Sequence, residues 1–135
     1  MGRYGVDPGY PEPDSEGSLV QIELQEAARH MVLRAWRLVP VEVRNIVPSE
    51  NIHWIHEKDF RDWKGDLIAA FEKHPEGIKP ILVVKKADEP GKVVILDGHH
   101  RWRAAKLSGR KALWVIEGRG RMLHPLKIAR QRRED

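Results

Sequence analysis

Apolar positions return along the chain in two rhythms, one helical and one extended, and their alternation outlines the elements. In residues 19–36, Val20, Leu24, Ala27, Ala28, Met31 and Ala35 recur at helical spacing. Ser18 and Gln21 ahead of them have the form of a capping box, so the pattern predicts an amphipathic helix. Residues 37–47, RLVPVEVRNIV, are rich in valine and predict an extended segment closed by Pro48. After the loop PSENIHWIHEKD, Asp59 is placed to cap a second helix with Phe60, Trp63, Leu67, Ala70 and Phe71 on one face. Gly65 weakens that helix, and His74-Pro75-Glu76-Gly77 ends it. Residues 80–85 and 92–96 are nearly all apolar, as strands buried on both faces are, with the turn ADEPG between them. A third helix is predicted over residues 100–108 with Gly109 as its stop, then a strand over 111–117. Pro125 can open a last short helix. No internal repeat is present.

This pattern divides the chain into a flexible lead (1–17), the amphipathic helix (18–36), a compact mixed α/β body (37–117) and a basic tail (118–135). The lead holds three of the nine prolines and four glycines with almost nothing to bury. A length of 135 residues supports one domain with a real core, but hardly two. With 41% apolar and 33% charged residues the balance is that of a soluble globular protein. No run approaches the roughly 20 apolar residues of a membrane span, and no secretory or myristoylation signal is expected. The absence of cysteine removes disulfides, thiolate metal sites and cysteine nucleophiles, and fits a cytoplasmic location. A net charge of +4 favours anionic partners.

The candidate chemistry sits where the second short strand hands over to the third helix, in VVILDGHHRWRAAKLSG. Helix first turns present N–H groups without intrahelical acceptors and a partial positive charge. Gly98 lets the backbone approach a ligand closely, while His99, His100 and Arg101 add donors, so the turn can hold a phosphate oxygen. Asp97, at the strand end, can hold Mg²⁺ or accept a proton. Two other readings stand beside this one: Asp97 as an ordinary helix cap, and a histidine metal centre. Adjacent histidines at a helix start point about 100° apart, and His53 with His56 does not form the HExxH arrangement, so the metal reading is the weakest.

At this point the residues resemble a known family. GIKPILVV (77–84) looks like the G-x-x-x-P-I-x-V strand entry of the ParB/sulfiredoxin superfamily, and GHHRWRAAKLSG (98–109) looks like its G-E-R-R-W-R-A-A-K-L-A-G helix. The resemblance covers residues 37–117. It implies an α+β domain, a small mixed sheet with flanking helices, that binds a nucleotide. In ParB proteins the G-x-x-R turn contacts the triphosphate of CTP, which maps onto Gly98, His99, His100 and Arg101, with Pro80 beside them in the strand entry. In sulfiredoxins the turn carries a catalytic cysteine, so sulfinic acid repair is excluded for a chain without one.

The D-G-H-H-R spelling is closest to the free serine kinases of the superfamily, in which an Asp before the glycine and a Glu after the first strand are catalytic. Asp97 matches the first and Glu50, in IVPSEN, the second. The expectation is a nucleotide-binding domain (ADP, ATP or CTP, with Mg²⁺ at Asp97) that acts as a phosphotransferase or NTPase. The alternative is a DNA-associated ParB-like module, whose basic tail residues Arg119, Arg121, Lys127, Arg130, Arg132 and Arg133 touch phosphates. A third reading is a non-catalytic regulator in which nucleotide occupancy sets a protein partnership, for which a homodimer is one form.

Overall fold

The structure is a computed structural model, and residues 18–29, 31–49 and 55–122 are described below. In chain order the elements are α1 (Ser18–Ala27), β1 (Met31–Glu42), β2 (Ile46–Val47), α2 (Glu57–Lys73), β3 (Ile81–Lys85), β4 (Val93–Asp97), α3 (His99–Leu107) and β5 (Ala112–Met122). Single 3₁₀ turns occupy Val43–Asn45 and Pro75–Gly77. The five strands form one mixed sheet in the order β1-β5-β3-β4-β2. β1 runs antiparallel to β5 and β3 antiparallel to β4, whereas β3–β5 and β2–β4 are parallel. The architecture is the compact α+β one expected.

Strand alternation sends side chains to opposite faces, and each face has its own core. On one face Ile81, Val83, Ile95, Leu113 and Val115 pack under α2 and α3 through Phe60, Phe71, Trp102 and Ala105. On the other, Leu82 and Ile116 meet Val20 and Ala27 of α1 together with Met31. The two short strands read from the sequence are therefore buried on both sides, which is why their runs are almost wholly apolar.

Several elements depart from expectation. The first helix does not reach residue 36: it ends at Ala27, and residues 31–36 belong to β1. Met31 and Ala35 fit a helical stripe only by coincidence of spacing, and pairing of Met31–Trp36 with β5 residues Gly118–Met122 decides the local conformation. The same pairing extends the last strand past Glu117, so Arg119 and Arg121 lie on β5 rather than in a tail. α2 begins earlier than expected: its cap is His56, and Glu57 and Asp59 occupy the first turn, where negative charge suits the helix dipole. Lys64 has non-helical backbone angles (φ −116°, ψ 26°) next to Gly65. This break in phase leaves Trp63 56% exposed and turns Ile68 inward beside Phe60 and Phe71.

Candidate functional site

β4 ends at Asp97 and α3 starts at His99, with only Gly98 between them. Gly98 caps the helix in the left-handed region (φ 115°, ψ 27°), and a Cβ there would stand 2.5 Å from Ile81 Cγ2. Both the backbone angle and the space require glycine. The first helical bond runs from the Trp102 N–H to the Gly98 carbonyl at 2.9 Å, so the three preceding amides form the open first turn. The cap position belongs to Gly98 itself, and Asp97 stands one residue ahead of it.

The four side chains read as one cluster point to three different places. His99 reaches back to the end of β2: the Ser49 N–H donates to its Nε2 at 3.1 Å, with Ser49 Oγ 3.2 Å away. A backbone N–H can only donate, so Nε2 is an acceptor and the ring is not an imidazolium while this bond stands. His100 packs edge-on to Trp63 at 5.1 Å between ring centroids and lies 6.2 Å from Phe60. Arg101 turns inward, its side chain 14% exposed. Its Nη1 donates to the carbonyls of Lys79 (3.2 Å) and Pro80 (3.0 Å), and its Nη2 to Asp97 Oδ2 at 3.2 Å. Pro80 thus joins the corner through its carbonyl, and its ring is buried.

A residue that sequence reasoning missed completes this network. Glu23 of α1 is fully buried, with Oε1 2.9 Å from Arg101 Nη1 and 3.7 Å from Lys79 Nζ. Lys79 also pairs with Glu26 of the same helix. As a carboxylate, Glu23 would bury two oxygens that make no hydrogen bond of good geometry. Burial and then the neighbouring Asp97 carboxyl push its pKa up to about 7, far above an ordinary glutamate, so the protonated form persists to near neutral pH. Asp97 goes the other way: the Glu23 carboxyl, then the charges of Arg101 and Lys79, hold it below the usual range against partial burial. Asp97 is therefore an ionised, half-exposed carboxylate (47%) fixed from behind by Arg101. The signal for Glu23 was present: Val20, Glu23, Leu24 and Ala27 stand at i, i+3, i+4 and i+7, so an acid occupies the inward stripe of the helix.

Other expected site residues fall elsewhere. Glu50 and His53 lie outside the described residues, as do Lys127, Arg130, Arg132 and Arg133; of Arg121 only the backbone pairing is described. Arg119 is exposed on β5. Among the described residues no three His, Asp or Glu side chains converge as a metal-ligand set, and no helix is long and apolar enough to cross a membrane. Two cavities lie away from the corner, on the sheet around Arg37, Lys85 and Glu117. Val93, which lines one, is four residues from Asp97 along β4, or about 13 Å.

No protein-family model and no curated protein matches the chain. Among solved structures it is similar to the C-terminally truncated chromosome-partitioning protein ParB from Caulobacter crescentus complexed with CTP-γ-S, at 24% identity and a TM-score of 0.46, over 60% of this chain and 43% of that one. The same Caulobacter protein complexed to the centromeric parS site matches at 23% identity and a TM-score of 0.44, over 58% of this chain and 37% of that one. A mutant free serine kinase in complex with ADP matches at 22% identity and a TM-score of 0.39, over 82% of this chain and 35% of that one. The chain spans less than half the length of each. Among the described residues, three helices on a five-stranded mixed sheet make the compact α+β fold expected from the sequence.

Proposed function

We propose that the β4–α3 corner binds the phosphates of a nucleotide on the open first turn of α3, and that Asp97 acts there on an acceptor hydroxyl. The observation that carries this reading is the Glu23–Asp97 pair: two carboxyls in one corner whose surroundings push their pKa values apart, beside a helix N-terminus. An ionised Asp97 can take the proton of a hydroxyl as its oxygen attacks the terminal phosphoryl group of the nucleotide. The bridging P–O bond of that group breaks and the remaining phosphate leaves with the electron pair, while the helix amides and the Arg101 charge offset the phosphate oxygens. Arg101 holds Asp97 in place and adds positive potential under the turn.

His99 contributes by fixing the end of β2 against the helix. Ser49, which it holds, is followed in the chain by Glu50, the proposed second carboxylate. A magnesium ion needs only one or two carboxylates when phosphates and water complete its shell. Asp97, a half-exposed hard oxygen donor, fits that requirement and would hold the ion, which would neutralise phosphate charge. The ParB structure with CTP-γ-S and the serine kinase with ADP make cytidine and adenine nucleotides the first to test.

The test is nucleotide turnover, measured as phosphate release or transfer to a hydroxyl acceptor from ATP and CTP with Mg²⁺, on the wild type and Asp97→Asn. Loss of at least about a hundredfold in turnover, with nucleotide affinity kept within a few fold, is expected. Equal turnover in the two proteins would remove Asp97 from the chemistry, and no turnover in either would leave a binding domain only.

A further inference from the structure

Trp63 is out of place for a helix of its pattern. Phe60, Trp63 and Leu67 would share one face of an unbroken α2, and Phe60 and Leu67 do pack on the core. The non-helical angles of Lys64 come directly after Trp63, and they leave the indole as the most exposed large hydrophobic side chain among the described residues. A single exposed aromatic is ordinary by itself. What distinguishes this one is where its ring is held.

The indole stands against the start of α3. Its ring centroid lies 5.1 Å from that of His100 with the planes at 79°, and 6.3 Å from that of Phe60 at 85°. Two edge-on contacts of this kind fix the orientation of the ring while the residue stays 56% exposed. His100 is the second residue of α3, and its backbone N–H is one of the amides of the open first turn. The ring is therefore one side chain away from the amides on which a phosphate would sit. Lys64 Nζ lies 4.4 Å over the indole, so positive charge flanks it as well.

An exposed aromatic ring held beside an anion-binding turn suits a ligand that joins a flat π face to a phosphate through a short linker. A nucleotide has all three parts, with its ribose spanning from the helix turn to the ring. Bare polyphosphate would use the amides and Lys64 and leave the indole without a role. A protein partner would use the indole and leave the turn without one. A cation–π contact on an exposed ring is weaker than the stacking of a base on an indole, so a base displaces the Lys64 ammonium.

We propose that Trp63 is the base-stacking residue of the nucleotide site, its indole carrying the nucleobase while the first turn of α3 carries the phosphates. The inference rests on the nucleotide reading of the β4–α3 corner and adds to it the residue that tells a nucleotide from bare phosphate. Every base has a π face, so stacking here gives affinity for nucleotides as a class.

The experiment is isothermal titration calorimetry of ATP, CTP and inorganic tripolyphosphate, each with Mg²⁺, into the full chain as wild type, Trp63→Ala and Trp63→Phe. Trp63→Ala should weaken nucleotide binding at least about fivefold and leave tripolyphosphate within about twofold of the wild type. Trp63→Phe should keep most of the nucleotide affinity. Quenching of tryptophan fluorescence by the nucleotide, expected in the wild type, should be lost in Trp63→Phe. Should Trp63→Ala fail to fold, which its melting curve reports, the Phe variant and the quenching decide. Equal nucleotide affinity in wild type and Trp63→Ala overturns the base role and leaves the corner as a phosphate site, whether or not sedimentation velocity shows a self-association lost with the indole. Equal loss for nucleotide and tripolyphosphate, or quenching that persists in Trp63→Phe, also overturns it. No binding of either nucleotide to the wild type overturns the corner reading and this inference together.

Discussion

At the residue scale the account rests on Gly98, Asp97 and Glu23. Gly98 combines a left-handed backbone with a contact that leaves no room for a Cβ, so Gly98→Ala strains the turn and collides with Ile81. A loss of about 2–4 kcal/mol is expected in denaturant unfolding. Glu23 makes a prediction of definite sign. Its folded pKa lies above its ordinary value of 4.5, so the stability it gives is complete below pH 4.5 and is lost as pH rises through about 7. Asp97, held low, gives stability above pH 3.8 that is lost on acidification. Melting temperature in the wild type should therefore fall between pH 5 and 8, and Glu23→Gln should flatten that slope while leaving the acid limb in place. A slope identical in the variant would show that Glu23 is not the titrating group. Asp97 and Gly98 were legible in the sequence because an acid, a glycine and cations crowd one turn. Glu23 was legible only as an acid on an inward helical stripe, and its role was not, because its partners lie 56 residues or more along the chain at Lys79, Asp97 and Arg101 and only the fold brings them to it.

At the scale of elements, periodicity found the helices and most strands of the body, but it merged β1 and β2 into one extended segment and misjudged where α1 and β5 stop. Residues 31–36 satisfy a helical stripe and an alternating one equally well, and long-range pairing with β5 selects the strand. A single sequence carries no direct sign of that partner, whose own extension to Met122 was equally hidden. α2 was read apart from its start, which lies at Glu57 with His56 as cap, and its exposed Trp63, since a break at Lys64 is not encoded in apolar spacing. Gly65, where the weakness was expected, faces open space: a Cβ added there would meet no atom within 4 Å, and its φ is not positive. Gly65→Ala should accordingly stabilise the protein by about 0.5–1 kcal/mol, read as a rise in melting temperature. A loss of stability would mean that the irregular backbone at Lys64 depends on glycine beside it. His99 joins two elements, α3 and the end of β2, through an acceptor nitrogen. His99→Phe should raise amide exchange at Ser49 without altering the α3 core.

For the whole molecule, two surfaces with different chemistry share one sheet. The β4–α3 corner is small, acidic at Asp97 and braced from α1 through Glu23 and Lys79. The groove beyond Val83 and Val115 is open and cationic. The fold class and the corner could be read from two short sequence blocks, because each joins a strand end to a turn of fixed shape. The groove could not, since Arg37, Lys85 and Arg119 belong to three strands and meet only through the β1-β5-β3 order. The central claim concerns the corner, and its location is what most needs measuring. A ¹H–¹⁵N NMR titration of the full chain with ADP, ATP and CTP in the presence of Mg²⁺ tests it most directly. The account predicts that at least one nucleotide shifts the amides of Gly98, His99, His100 and Arg101 most strongly. Shifts confined to the strands around Arg37, Lys85 and Arg119, or no shifts with any of the three, would contradict it.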